Sequence, residues 1–227
     1  MPKPSILLIP GSFALPEFYD PVMNAIAAKG YSIRGLHLLA VGLKTGPREG
    51  SPPAMTKRLS KAERQAQGKK GGIIRLGYMA AVVPALGVSA QGLLADLPSE
   101  NQASMKADER GRLYLNPISV SAAFTFSDLP VAEGEAWVRK FPQHSAVSFT
   151  NKLTHAGYKD MPVSYLFCEG DLCITPALQR KGIATMEEAS GRKVDVTSIK
   201  SDHVPPVSHP ELVVDWILDV ATKAESG

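Results

Sequence analysis

The chain has 227 residues, of which 44% are hydrophobic and 21% charged, and its formal net charge is +3. The hydrophobic fraction is large enough to bury a core, so the composition excludes a fully disordered chain, and the small net charge does not indicate a nucleic-acid partner. The length suits one domain. The chain has two cysteines, Cys168 and Cys173, which are too few to stabilise such a domain through disulfide bonds. We therefore expect a cytoplasmic protein whose cysteines are reduced.

The apolar stretches of the chain do not indicate export or membrane insertion. The N-terminal run covers only Ile6–Pro10, which is shorter than the apolar core of a signal peptide. A later stretch, Gly77–Val88, contains Pro84 and is too short to span a bilayer. We therefore expect no membrane partner.

The first part of the chain has the pattern of a parallel α/β protein. Ser5–Ile9 is predicted to be a buried strand and Tyr31–Leu39 a second strand, while Pro16–Ala28 between them has apolar residues at helical spacing. Strand, helix and strand in this order predict a parallel sheet. A polar, basic helix is predicted at Met55–Gln67, and a third strand at Gly72–Val83.

The pattern changes after Pro84 and changes back before Pro162. Apolar runs become short between these prolines, and helices are predicted at Val120–Phe126, Val131–Lys140 and Ser145–Leu153. We interpret this stretch as a mainly helical cap inserted into one α/β core. The predicted boundaries are 1–84 and 161–227 for the core and 85–160 for the cap.

The last part of the chain returns to alternating strands and helices. Pro162–Cys168 and Lys193–Ile199 are predicted strands, and Thr175–Ala189 and His209–Lys223 are predicted helices. The whole pattern predicts an α/β protein with a mostly parallel sheet and flanking helices.

Three stretches carry a resemblance to a known family. They are LLIPGSFALPEFYDPVMNAIAAKGYSIRGLHL, SYLFCEGDLCITPALQ and IKSDHVPPVSHPELVVDWI, and together they cover about half of the chain. Their order and content resemble the α/β-hydrolase superfamily, in the branch of small esterases, methylesterases and hydroxynitrile lyases. The resemblance implies a catalytic triad whose acid and base follow separate strands.

The resemblance places the triad acid at Asp171 and the base at His203. Asp171 lies three residues past a predicted strand, and His203 lies four residues past another, so both fall at the same edge of a parallel sheet. We expect their side chains to lie within about 10 Å of each other. The residue pattern alone leaves open a turn-forming aspartate and a surface histidine, and Glu169 and Asp202 are second choices for the acid.

The loop after the first strand supplies backbone donors to the oxyanion hole in this family. Gly11, Ser12 and Phe13 occupy that place, and Ser12 is the best match for the donor. The usual His-Gly opening of this loop is Pro10-Gly11 here.

The nucleophile that the resemblance requires is missing from the sequence. No serine stands in a G-x-S-x-G motif. Only 34 residues, Leu39 to Gly72, separate the second and third strands, whereas a crossover helix, a strand, the elbow and a second helix need about 60. Ser89, in GVSAQG, is a weak candidate, and Ser51 is weaker still. We infer a lost internal segment with a junction near 54–59, and a sheet without its central strand.

Other polar features are assigned ordinary structural roles. Cys168 and Cys173 are interpreted as core thiols without zinc-site companions, so we expect neither a metal nor a cofactor. Residues 55–72 hold six basic residues against one acidic residue. We interpret them as a solvated helix face rather than a nucleic-acid site.

Three functions remain open at this point. The first is an esterase-like protein that is inactive or impaired because it lacks a nucleophile. The alternatives are a lyase or other non-hydrolytic enzyme that uses His203 and Asp171, and a non-catalytic small-molecule binding protein. Aromatic residues of the cap favour an apolar substrate or ligand, although they suit a core equally well; they are Phe124, Phe126, Trp137, Phe141 and Phe149. The oligomeric state is not indicated.

Overall fold

The computed structural model describes residues 3–38, 40–42, 60–95 and 104–225. Short strands and helices alternate along this part of the chain. The strands are β1 (Ile6–Leu8), β2 (Ile33–Gly35), β3 (Leu76–Met79), β4 (Met105–Ala107), β5 (Arg112–Leu115), β6 (His144–Ser145), β7 (Val163–Cys168) and β8 (Asp195–Ile199). The α-helices are α1 (Asp20–Ala28), α2 (Lys61–Ala66), α3 (Ala90–Ala95), α4 (Ile118–Thr125), α5 (Val131–Lys140), α6 (Val147–Thr150), α7 (Pro176–Ser190), α8 (Pro205–Ser208) and α9 (Pro210–Glu225). Single 3₁₀ turns lie at Pro16–Tyr19 and Gly157–Lys159.

The predicted strand–helix–strand unit is present and parallel. β1 pairs with β2 from Ile6–Ile33 to Leu8–Gly35, and α1 connects them. α1 has a proline in its first turn, and Gly30, two residues past its end, has a φ of +80°, which suits a residue without a Cβ. The predicted α/β class with mainly parallel strands is confirmed.

Among the described residues, the parallel strands form two sheets rather than one. One sheet is the β1–β2 pair, and the other has the order β3-β7-β8. β1 has β2 as its strand neighbour and β3 has β7, so each of these strands has one edge without a described strand partner.

One layer of helices holds the two parallel sheets together. α1 and α9 pack against each other, and their buried side chains meet Leu166 of β7. Ile6 of β1 and Ile33 of β2 pack against the same cluster. The cluster is formed by Val22, Ile26, Leu166, Val213 and Trp216. Side-chain burial on this face therefore connects β1 and β2 to the rest of the fold.

The opposite face of β1 is open to solvent. Leu7 is 43% exposed and Ile9 is 56% exposed, whereas every residue of β7 is buried. The prediction of a buried strand at Ser5–Ile9 is wrong for this face. The corresponding face of β7 is covered by α7, because Tyr165 and Phe167 pack with Met186 of that helix.

The 85–160 segment contains helices and a small antiparallel sheet. α4 lies over the predicted Val120–Phe126 helix and α5 has the predicted bounds, but α6 is shorter than the Ser145–Leu153 prediction. The sheet, with the order β4-β5-β6, was not predicted, because strands of two to four residues are too short to show an alternating pattern. The domain boundaries stay a prediction.

The predicted basic helix is described in part. α2 covers Lys61–Ala66 and begins with a capping box, in which Ser60 and Glu63 exchange side-chain and backbone hydrogen bonds. The rest of the prediction toward Met55 falls outside the described residues, as do Ser51 and the proposed junction at 54–59. No helix in the described ranges is both long and apolar enough to cross a membrane.

Candidate functional site

The loops that follow β7 and β8 lie side by side at the carboxyl edge of the larger parallel sheet. The ladder continues past both strands, because Glu169 N–H donates to Ile199 O and Gly170 N–H donates to Ser201 O. A Cβ on Gly170 would lie 3.0 Å from the Ser201 carbonyl oxygen, so glycine permits this close approach. The approach brings the residues after the two strands together.

The structure brings Asp171 and His203 into direct contact. Asp171 Oδ2 lies 2.9 Å from His203 Nδ1, which confirms the predicted proximity. Asp171 is buried, and its Oδ1 accepts hydrogen bonds from the backbone N–H groups of Cys173 and Ile174, both at 2.8 Å. The His203 side chain is 27% exposed. The carboxylate is therefore held by backbone donors of its own loop, while part of the imidazole remains exposed to solvent.

The local electrostatics favour a protonated His203. Burial disfavours the imidazolium, but the charge of Asp171 and its hydrogen bond, with a smaller contribution from Asp202, raise the pKa of His203 above its ordinary value. When the neutral imidazole donates from Nδ1 to Asp171, its Nε2 is the free acceptor. This is the tautomer that a general base needs in a triad.

The two second-choice acids occupy different environments. The Glu169 carboxylate is exposed and accepts a hydrogen bond from Ser198 Oγ at 2.6 Å. Asp202 is fully buried and accepts hydrogen bonds from Ser208 Oγ at 2.7 Å and from Val204 N–H at 3.0 Å. Asp171 is the acid that contacts the His203 ring.

The loop after β1 places Phe13 N–H against a buried histidine. Phe13 N–H donates to His144 Nδ1 at 3.3 Å, and the Phe13 backbone has a positive φ of 59°. Burial lowers the pKa of His144 to about 4, so its Nδ1 accepts while the ring is neutral. Phe149 packs on the same ring. The amide of Phe13, an expected oxyanion donor, is thus already hydrogen-bonded, and Ser12 lies in an exposed turn.

Sequence reasoning missed His144, and no local signal could have found it. Its acceptor contact is to a residue 131 positions away, and the FPQHSAV context around it is typical of an ordinary loop. β6, which contains His144, pairs with β5 and bridges to Val41, and the ring contacts those of Phe13 and Phe149, so its burial depends on residues far away in the sequence.

The weak serine candidate has a structural role. Ser89 Oγ accepts a hydrogen bond from Gly92 N–H at 3.1 Å at the start of α3, and its backbone bridges to Lys152. This contact is typical of a helix N-cap. The hydroxyl therefore has the environment of a cap residue.

Cys173 lies near Asp171 and His203, and ligand atoms of the three side chains all fall within 4.8 Å of one another. Asp171 already uses both oxygens in hydrogen bonds, and burial, with a contribution from the Asp171 charge, raises the pKa of the Cys173 thiol to about 12. The contacts favour a hydrogen-bonded pair over a metal centre.

Aromatic residues of the 85–160 segment lie against both sides of this edge. The Phe126 ring contacts the rings of Trp137 and Phe141, and both of these contact the ring of Phe18 near the oxyanion loop. Phe124 packs on the Cys173–Ile174 cluster. A cavity of about 110 Å³ lies elsewhere, at the opposite end of the strands beside Val163 and Asp195, away from the Asp171–His203 pair.

Known proteins with similar sequences are hydrolases. No protein-family profile matches the chain. The chain is 29% identical to the probable hydrolase R7 of a Phoma species, over 97% of this chain and 99% of that protein. It is 22% identical to the α/β-hydrolase nvfD of Aspergillus novofumigatus, over 99% of each chain.

Several solved structures have a similar fold. A pyrethroid hydrolase has a TM-score of 0.72 at 22% identity, with 96% of this chain and 97% of that chain covered. Polyneuridine aldehyde esterase has a TM-score of 0.63 at 16% identity, with 95% and 98% covered. A mutant of tomato methylketone synthase I has a TM-score of 0.66 at 14% identity, with 99% and 100% covered. The solved structures show that the chain has the fold of α/β-hydrolases, and in sequence it is similar to two proteins named as hydrolases.

Proposed function

We propose that the protein is an esterase-like α/β-hydrolase that retains the acid and base of the triad, Asp171 and His203, but has no nucleophilic serine. It would then hydrolyse carboxylic esters weakly or not at all. The observation that carries the proposal is the 2.9 Å contact between Asp171 Oδ2 and His203 Nδ1 in a chain without a G-x-S-x-G motif.

The chemistry of the pair fits proton transfer. Nε2 of a histidine held at Nδ1 by a carboxylate can take a proton from a hydroxyl and return it to a leaving group, while the carboxylate stabilises the imidazolium. The raised pKa of His203 strengthens it as a base. Without a serine Oγ, no acyl-enzyme can form, and triads without their nucleophile keep only about 10³–10⁴-fold over water.

Two observations support a lost internal segment. β1 and β3 each have an edge without a described strand partner, as expected when a strand between them is missing. The alignments with the Phoma and Aspergillus relatives extend over 251 and 260 positions, which exceeds the 227 residues of this chain by 24 and 33. The relatives therefore have residues without a counterpart here.

We further propose a cytoplasmic protein that takes an apolar small molecule. Aromatic rings from the 85–160 segment adjoin the loops of the candidate site, which supports an apolar ligand. Cys168 and Cys173 are both free and buried, which is compatible with a reducing compartment. Cell fractionation with an antibody to the protein tests the location.

Labelling and turnover measurements test the loss of the nucleophile. We expect no stoichiometric labelling by a fluorophosphonate probe and no hydrolysis of short activated esters beyond the residual level. A chimaera whose β2–β3 connection comes from the Phoma hydrolase should be labelled and should gain at least about 10³-fold in ester turnover.

Three results would change the proposal. Labelling of one serine in the unaltered chain, with turnover lost on changing it, would reveal a nucleophile, and Ser89 would be tested first. Turnover without labelling that disappears in His203→Ala would favour the lyase or another non-hydrolytic enzyme. A chimaera whose turnover is unchanged by His203→Ala would exclude His203 as the base.

A further inference from the structure

Two carboxylates connect the 85–160 segment to the loop that contains His203. Asp128 lies between α4 and α5, and its Oδ2 accepts the backbone N–H of Asp202 at 2.8 Å. In return, Asp202 Oδ2 accepts the backbone N–H of Asp128 at 3.3 Å. Each residue thus fixes the backbone of the other, and Asp202 is the residue directly before His203.

The surroundings of this reciprocal pair leave the loop little freedom. Asp202 is fully buried, and its Oδ1 accepts from Val204 N–H and Ser208 Oγ on the far side of His203. His209 Nε2 lies 3.0 Å from Asp128 Oδ2 and holds that carboxylate in place. Without the Asp128 carboxylate, the buried N–H of Asp202 would lose its acceptor, and the loop would have to move to satisfy it.

We propose that Asp128 is a positioning residue for His203, because its carboxylate fixes the Asp202 backbone and so keeps His203 Nδ1 in contact with Asp171. The proposal rests on the role of His203 as the base in the proposed function. On this proposal the 85–160 segment does more than cover the site, because it supplies the Asp128 carboxylate that positions the loop containing His203.

The direction in which the His203 pKa changes in an Asp128 variant distinguishes the loss of positioning from the loss of the Asp128 charge. The charges that raise the pKa of His203 belong to Asp171 and Asp202. The pKa of Asp202 is itself raised, mainly by burial, with a smaller contribution from the Asp128 charge. Removing the Asp128 charge alone would favour ionised Asp202 and leave the His203 pKa unchanged or higher. A fall in the His203 pKa after removal of Asp128 therefore reports a lost contact with Asp171.

Nuclear magnetic resonance of the imidazoles in the full chain tests the proposal. In Asp128→Ala, we expect the His203 pKa to fall by about one unit and the downfield Nδ1–H signal of the Asp171–His203 hydrogen bond to be lost. Asp128→Asn keeps an oxygen acceptor for Asp202 N–H and should retain both the pKa and the signal. Asp160→Ala, which removes the partner of His155 at 3.1 Å elsewhere on the surface, is the matched control and should leave His203 unchanged.

The results of this experiment can be distinguished from those of the labelling and ester-turnover measurements. An unchanged His203 in Asp128→Ala, or equal upward shifts in the Ala and Asn variants, would overturn the positioning role whatever the ester assays show. If Asp128→Ala does not fold, Asp128→Glu keeps the charge but displaces the carboxylate from Asp202 N–H by one methylene, and it should produce a smaller fall in the same pKa. No change in that variant would overturn the proposal as well.

Discussion

At the scale of single residues, Asp171 joins two loops through one carboxylate. Its Oδ1 accepts two backbone N–H groups of its own loop, and its Oδ2 contacts His203 from the next loop. A residue in this place affects both local backbone order and the protonation of the imidazole.

Replacing the Asp171 carboxylate should affect stability and the His203 pKa together. Because the His203 pKa is raised in the folded state, its stabilising effect is fully present below the unfolded pKa of about 6.5 and is lost as the pH rises through the folded pKa. Asp171→Asn should remove this pH dependence and lower the free energy of unfolding by about 1–3 kcal/mol. Urea unfolding at several pH values measures both effects.

Asp160→Asn is the control for that experiment. Asp160 pairs with His155 at a more exposed position, so we expect its replacement to change the free energy of unfolding by less than about 0.5 kcal/mol. Equal changes in the free energy of unfolding in the two variants would show that the Asp171–His203 contact stabilises the fold no more than the exposed Asp160–His155 pair.

His144 should make the protein sensitive to acid. Its folded pKa of about 4 lies below the unfolded value of about 6.5. The unfolded state therefore binds more protons between these values, and the free energy of unfolding falls as the pH falls, by about 3 kcal/mol across the window. His144→Leu should flatten this dependence, whereas His37→Leu at an exposed position should not. An unchanged slope in His144→Leu would contradict the assignment.

At the scale of elements, the contact between the loops after β7 and β8 depends on Gly170. A Cβ there would meet Ser201 O at 3.0 Å, so the backbone of the neighbouring loop would have to shift by a few tenths of an ångström. We expect Gly170→Ala to lower the free energy of unfolding by about 1–3 kcal/mol and to weaken the Asp171–His203 contact. Gly157→Ala is the matched control, because nothing lies within 4 Å of its added Cβ. Equal thermal midpoints for the two variants would disprove this account.

The elements that sequence reasoning found are those with strong local patterns. β7 is a continuous apolar run, and α7 has Thr175 as its N-cap and Gly191 at its end in the left-handed conformation. Asp171 and His203 were predicted because the stretches around them resemble the α/β-hydrolase superfamily, and because each follows a predicted strand. The β4–β6 sheet and His144 were missed, because their structure depends on pairing between distant residues rather than on local sequence.

At the scale of the whole molecule, the prediction for β1 failed for a similar reason. An apolar run such as Ile6–Ile9 is typical of a strand covered on both faces, but burial depends on what the rest of the chain supplies. Leu7 and Ile9 remain exposed in the described structure, although α1 and α9 cover the other face.

The difference in burial between β1 and β7 can be measured as the loss of unfolding free energy when a leucine of each strand is replaced by alanine. Leu7→Ala should change the free energy of unfolding by less than about 0.5 kcal/mol, because the side chain is 43% exposed. Leu166→Ala in β7 should cost about 2–5 kcal/mol of the free energy of unfolding, because Leu166 is fully buried in the cluster that it forms with side chains of α1 and α9. A large loss in Leu7→Ala would mean that its face is covered in solution.

The division of the parallel strands also determines how the native state opens. β7 has strand partners on both sides, whereas β1 and β2 share one short ladder and, among the described residues, meet β7 through side-chain packing with α1 and α9. Packing contacts without shared backbone hydrogen bonds allow partial unfolding of one unit. Amide protons of Ile33–Gly35 should therefore exchange with solvent through an opening that leaves the amides of Val163–Cys168 protected, so that the chain has two levels of local stability.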